Sequence, residues 1–266
     1  MTDIYFPVEK VPVEDICGPD FEHPSGISHA VVVTKPDGIK RVVQYCSELY
    51  YLVPNDSIIP EFEKEMSRFF KIEKKIGMSR YARFFIDFIL MEKAMAMAPK
   101  DLVFPRIRLI NSYDGSMRYH FQVGFWREIC SNGMMGLVWE KGIKMMHTPK
   151  LGKETSFGAV MEMASEFLAE SSEVLEVYKE LQDTITGDWM DRIEEVTEET
   201  SFPVTLKEDV IERMGTELDL LGEGEPNDWL IYNAFNYQLN HNEGLKAKES
   251  KKDTMDQEVL QYLLKY

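Results

Sequence analysis

The stretch from Arg106 to Val123, RIRLINSYDGSMRYHFQV, constrains the fold more than any other part of the chain. Two runs alternate apolar with polar residues on either side of Tyr113-Asp114-Gly115, the pattern of a β-hairpin whose strands each turn one face to a core. Register decides which side chains share a face, because a slip of one residue moves all of them to the other side. A two-residue Asp114-Gly115 loop sets Arg108 opposite Phe121, mixing charge with core. A three-residue loop with Gly115 in the left-handed position pairs Ser112 with Ser116 and sorts the faces. Ile107, Leu109, Tyr119, Phe121 and Val123 then lie on one side. Arg106, Arg108, Arg118, His120 and Gln122 lie on the other, with Ile110 among them. The expectation is a sheet with one apolar face and one exposed basic face.

The same patterns place the other elements. HAVVVT and IKRVVQYC, joined at KPDG, read as a hairpin within residues 28–53. Pro60 suits the opening of a helix over PEFEKEMSRFFKIEKK, with Phe62, Met66, Phe69 and Phe70 on one side and Gly77 as its end. Arg83 to Leu90 alternates as a strand, and a short pair is expected around GLVW and IKMMHT. From Ser156, Phe157, Val160, Met161, Ala164, Leu168, Leu175 and Tyr178 recur near one stripe of a long amphipathic helix. LKEDVIERMGTELDLL and PNDWLIYNAFNYQLNH carry two more helical patterns, the second opening at Pro226. Asn242 to Asp256 is polar enough for a loose linker, and the last ten residues suit a short helix. The fold class is α+β, an antiparallel sheet built from hairpins packed on helices, with an acidic helical C-terminal half. The expected boundaries are 1–153 for the core with the basic sheet face, 154–241 for an acidic helical region packed on it, and 242–266 for a charged linker and terminal helix.

Length and composition suit a buried core, with 44% hydrophobic residues in 266. The net charge of −16 is unevenly placed, with 4 basic and 9 acidic residues in 1–60, 17 and 10 in 61–153, and 9 and 27 in 154–266. A basic middle against an acidic C-terminal half suits a polyanion surface shielded or regulated by an acidic region. Three cysteines without a CxxC pair argue against a disulfide framework and a zinc site. No leader-like start occurs, and the most apolar run, FFIDFILM, is short and carries Asp87, so a cytoplasmic protein without a membrane partner is expected.

Chemistry-bearing motifs are sparse. Cys130-Ser131-Asn132-Gly133 beside Arg127 is the one candidate for an activated thiol, and core packing is the commoner use of such a cysteine. His23, His29, His120, His147 and His241 lack metal-ligand spacing, and no Walker loop or GxGxxG is present, so neither metal nor nucleotide cofactor is expected. Trp229, Asn233, Asn236, Tyr237 and Asn240 share a helix face that suits the lining of a polar pocket, with packing of the helix on the sheet as the commoner use of such a face. The residues suited to hold phosphates are Arg106, Arg108, Arg118, His120, Arg127, Lys141 and Lys144, with single-stranded DNA as partner and aromatic neighbours for base stacking. Asp114, Gly115, Cys130, Asn132 and Gly133 are read as the structural motif that shapes this segment.

NSYDGS, then Gly124-Phe125-Trp126-Arg127 and Cys130-Ser131-Asn132-Gly133, closely resembles the phage/plasmid-like protein family known as domain of unknown function 932. His147-Thr148, Asn233-Ala234 and His241 extend the resemblance over roughly residues 28 to 241. It implies a cytoplasmic protein of phages and mobile elements with no established activity. The order of two strands, a helix, three strands and a long helix is similar to the phage single-strand annealing proteins of the Erf and RecT group. That resemblance implies annealing or recombination without a nucleotide cofactor, and assembly into rings or filaments.

Three functions compete on this reading. The first is a non-enzymatic single-strand binding protein with an annealing or recombination role. The second is a protein-binding counter-defence factor whose acidic residues 154–228 mimic nucleic acid toward a host or phage protein. The third, least supported, is a cysteine-dependent enzyme centred on Cys130. Exposed sheet edges and the apolar segment from Val259 to Tyr266 also suggest a homo-oligomer.

Overall fold

The computed structural model describes residues 4–20, 22–98, 101–128, 132–134, 142–151, 157–221, 224–242, 244–245, 247 and 249–265. The chain is α+β and divides into two compact units, interleaved along the sequence. Unit 1 comprises residues 1–92, 107–122 and 141–164; unit 2 comprises 93–106, 123–140 and 165–266. Unit 1 contains 17 basic and 18 acidic residues, and unit 2 contains 13 and 28. Almost the whole acidic excess therefore belongs to unit 2.

Unit 1 begins with a three-stranded antiparallel sheet, β1 (Val8–Pro12), β2 (His29–Thr34) and β3 (Lys40–Cys46), with β2 central. Ala30, Val31, Val32 and Val33 are buried on both faces of that central strand. The expected β2–β3 hairpin forms, and Gly38 supplies its positive φ of 81°. A short helix, α1 (Val13–Cys17), follows β1. Neither of these two N-terminal elements was expected.

Helix α2 runs Asn55–Met66, so Pro60 lies inside it rather than at its start. Ile59, Phe62 and Met66 recur at helical spacing and are buried. The ring of Phe62 lies 4.9 Å from Phe88 and 5.1 Å from Phe121, which seats α2 on the apolar face of the second sheet. Lys71 to Lys75, expected as helix, leads into β4 (Ile72–Ser79) instead, and Gly77 is a strand residue. A Cβ at Gly77 would fall 2.1 Å from the Phe85 ring, so the glycine makes room for that side chain.

The second sheet has the order β10-β8-β7-β5-β4, with β5 (Arg83–Leu90), β7 (Asp101–Ser112), β8 (Tyr119–Arg127) and β10 (Gly142–Met145). β6 (Met95–Ala98) pairs with β7, and β9 (Asn132–Met134) with β8. The segment GLVW lies outside the described residues. Three residues, 80–82, join β4 to β5, and a β-turn over Ser79–Ala82 closes them: Ala82 N–H donates to Ser79 O at 3.0 Å, and Arg80 and Tyr81 both have φ of 55°. Such turns favour Asn-Gly, because an L-residue held left-handed costs about 1–2 kcal/mol.

The hairpin of β7 and β8 has the expected face sorting but a different closure. Six residues, 113–118, connect the strands, and the Ser112 hydroxyl both accepts from Met117 N–H at 3.0 Å and donates to Met117 O at 2.9 Å. The Ser112–Ser116 pairing of a three-residue loop does not form. Gly115 does take the left-handed conformation, φ 66°. Ile107, Leu109, Tyr119, Phe121 and Val123 are buried on the apolar face. The opposite face is not the open basic surface expected, since Arg106, Ile110, His120 and Gln122 are buried as well.

Unit 2 is mostly helical, with α3 (Phe157–Asp183, its first residues in unit 1), α4 (Trp189–Glu199), α5 (Lys207–Leu221), α6 (Asp228–His241) and α7 (Glu249–Lys265). Helix α6 is its axis, buried from Asp228 through Asn236, with α5 and α7 packed against it. Asn227 rather than Pro226 caps it, accepting from Leu230 N–H. Trp229, Asn233 and Asn236 are core residues of this helix. Helix α7 starts at Glu249, inside the expected linker, because Met255 and Asp256 dock with Val259, Leu260 and Leu263. Those apolar residues are spent within the chain and leave no adhesive tail among the described residues.

At the sheet edge, His120 stands across from Lys144, and a Cβ at Gly142 would fall 2.4 Å from His120 Nε2. Burial, then the charge of Lys144, lowers the His120 pKa from 6.5 to about 4. A folded-state pKa below the unfolded one means that the unfolded chain takes up the proton first, so stability is lost as pH falls from 6.5 toward 4. His120→Gln should flatten the decline of melting temperature over that window relative to the wild type. A second expectation concerns the tip: a side chain at Gly115 meets both a left-handed backbone and Gln44, whose Nε2 would lie 2.7 Å from the new Cβ. Gly115→Val should lower unfolding free energy by about 2 kcal/mol in denaturant titration, and Gly115→Asn by less.

Candidate nucleic-acid interface

An arginine cannot lose its proton, so a buried one requires carboxylates around it. Arg127 is fully buried in unit 2 and donates to Asp101 through Nε at 2.6 Å and Nη2 at 2.7 Å, and to Glu217 through Nη1 at 2.6 Å. The Trp229 indole N–H donates to Asp101 Oδ2 at 2.8 Å, and Arg213 donates to the other oxygen of Glu217 at 2.6 Å. Two cations and two anions form a closed set. Arg127 is a structural residue here, not an open phosphate contact.

Arg108 is likewise bound to a carboxylate. Arg108 makes a two-point bridge to Asp87, Nε to Oδ1 at 2.7 Å and Nη2 to Oδ2 at 2.9 Å, and its guanidinium lies 4.5 Å from the centre of the Phe85 ring. Asp87 is nearly inaccessible, so truncating Arg108 takes a two-point cationic partner from a buried carboxylate. The expectation that Arg108 stands free on an exposed face is therefore corrected. Arg106 is buried in unit 2, where its charge acts on the buried hydroxyl of Tyr178. His120 is buried and held neutral near pH 7. Lys141 and Cys130 lie outside the described residues; Asn132 and Gly133 pair through their backbones with Arg127 and Trp126.

Arg118 and Lys144 are different. Both are exposed and neither makes an ion pair among the described residues. Arg118 immediately precedes β8, and Lys144 sits on the neighbouring strand across from His120. The hairpin tip beside them is firmly built. Asp114 accepts from Ser116 N–H at 3.1 Å and from Arg83 Nε at 2.7 Å, and these partners hold its carboxyl below the usual range against the opposing effect of burial. Tyr113 N–H donates to Ala82 O at 2.6 Å, so the β4–β5 turn lies alongside.

An aromatic loop, residues 47–53, completes the rim. Tyr50 donates to Ser112 O at 3.3 Å and stacks on His147, ring centres 5.1 Å apart and planes within 15°. Tyr51 N–H donates to His147 O at 3.0 Å, and His147 Nδ1 lies 3.1 Å from Tyr51 O. Lys10 fixes the loop from beneath, donating to Glu48 O and Tyr50 O. Leu49 and Tyr51 of this loop remain exposed, as do Met146 next to His147 and Tyr45 of β3. Exposed cations and exposed aromatic rings are the two kinds of group that hold an unpaired strand, through its phosphates and its bases. The tyrosines were missed in the sequence, where the only signal was the Tyr50-Tyr51 doublet just past a strand.

No helix of the described residues is long and apolar enough to cross a membrane, and among those residues no group of three His, Cys, Asp or Glu is placed to hold a metal ion. Comparison with known proteins gave no match among curated sequences and none among solved structures. The expected likeness to the Erf and RecT annealing proteins finds no support there, and among the described residues seven strands, β4 to β10, stand between α2 and α3 where three were expected. A family model, the domain of unknown function DUF932, matches residues 42–259. That span takes in β3, α2, the second sheet with its hairpin tip, and the helices through most of α7, and on that match the chain belongs to the DUF932 family.

Proposed function

We propose that this protein binds single-stranded nucleic acid at the hairpin tip of unit 1, without a nucleotide cofactor, in an annealing or recombination role. The observation that carries this reading is that Arg118 and Lys144 are exposed and without an ion pair among the described residues, while the loop bonded to the same hairpin end through Tyr50 leaves Tyr51 exposed. Phosphates bind the cations without regard to sequence, and bases stack on the rings. Placing the carboxylates in unit 2 keeps unit 1 close to neutral, so the tip is not masked by its own unit's charge. Arg106, Arg108 and Arg127 have no part in the contact; they are committed to the fold.

A second reading rests on unit 2. Glu170, Glu173, Glu176 and Glu180 of α3, and Glu194, Glu195, Glu198 and Glu199 of α4, form exposed acidic rows suited to a basic protein partner. Fluorescence anisotropy with a labelled thymidine 20-mer separates the two. Arg118→Ala and Lys144→Ala should each flatten the log–log salt dependence by about 0.7, the contribution of one phosphate contact to a single strand. Tyr51→Ala should weaken binding by about 1–3 kcal/mol with the salt dependence unchanged. Arg127→Ala should instead lose about 3–5 kcal/mol of stability. Failure of the wild type to bind the 20-mer at 50 mM salt, taken as roughly the lower end of the usual salt range, would leave the acidic rows as the better-supported surface.

A further inference from the structure

The β4–β5 turn holds two consecutive non-glycine residues in the left-handed region, Arg80 and Tyr81, both at φ 55°. One of the two has an internal return: the Tyr81 ring packs edge-on against Phe6, centres 5.5 Å apart. Phe6 in turn meets Phe84 and Tyr113. Arg80 has none. It is exposed and makes no hydrogen bond, ion pair or ring contact among the described residues. Asparagine adopts this conformation more readily than arginine, so the strain at position 80 is not offset within the folded chain. The turn also has a definite place, since Ala82 O accepts from Tyr113 N–H and Arg83 bridges to Asp114. It lies beside the hairpin tip that carries Arg118.

We infer that Arg80 is a third phosphate-binding cation of the tip, held by a strained turn so that its guanidinium stands clear of the sheet, where Arg83 and Arg108 are drawn into ion pairs. This rests on the reading of the tip as a single-strand surface. It extends that surface from the β7–β8 tip to the β4–β5 turn, so a bound strand is gripped by two adjacent hairpin ends. The grip reads backbone, not sequence, which makes the ligand any unpaired strand long enough to reach both turns.

The test uses the full chain, the labelled thymidine 20-mer, and Arg80→Asn, Arg80→Lys and Arg118→Ala. Arg80→Asn should raise the melting temperature by about 2 °C through relief of strain and weaken binding about fivefold at 0.1 M salt, the loss of one contact. Arg80→Lys keeps the charge and should bind as the wild type does. Should Arg80→Asn bind normally while Arg118→Ala weakens binding, the inference falls and the tip reading stands. An Arg80→Asn chain no more stable than the wild type removes the strain argument and overturns the inference by itself. If the wild type does not bind, both fall together.

Discussion

Buried positive charge is the constraint on which the rest of this structure depends. Arg106, Arg108 and Arg127 lie on the two longest strands of the second sheet, and none can be neutralised by losing a proton. Each therefore dictates its surroundings. Arg127 draws in Asp101, Glu217 and, through Asp101, the indole of Trp229, tying β7, β8, α5 and α6 together inside unit 2. Arg108 does the same on a smaller scale with Asp87 of β5 in unit 1. Such pairs add little net stability over apolar packing, yet losing one partner is costly, so they specify which elements pair.

The consequence for function is a division of labour among the cations. Arg108 and Arg127, inside the sheet, are bound to carboxylates, whereas Arg80 and Arg118, in its connections, make no ion pair among the described residues. A hairpin tip suits binding because the strands behind it are rigid while the connecting residues stay open to solvent. Here Ser112, Asp114 and Gly115 shape the tip, Tyr50 and Lys10 hold an aromatic loop against it, Arg118 closes it, and Lys144 stands exposed on β10.

Much of this was legible in the sequence. The alternation through Arg106–Val123 gave the right faces, Gly115 the left-handed position, and the 3.6-residue stripe the long helix α3. Local patterns carry that information because the residues concerned are near neighbours. What the sequence did not reveal was pairing at a distance. Arg127 and Glu217 are 90 residues apart, and Arg108 and Asp87 are 21 apart, so nothing local marks these arginines as neutralised. The same blindness hid the start of α7, whose polar first turns are held by contacts of Met255 and Asp256 with the core, and the Arg80-Tyr81 turn, which lacks the usual glycine.

The salt dependence of wild-type binding to a thymidine single strand tests this account most directly, because its slope counts phosphate contacts. Phosphate contacts by Arg80 and Arg118 at the hairpin ends and by Lys144 on β10 would give a log–log slope of about −2, at about 0.7 per contact. A slope steeper than about −4 would demand more phosphate contacts than the turns can supply, and would mean that the arginines of the sheet bind nucleic acid after all.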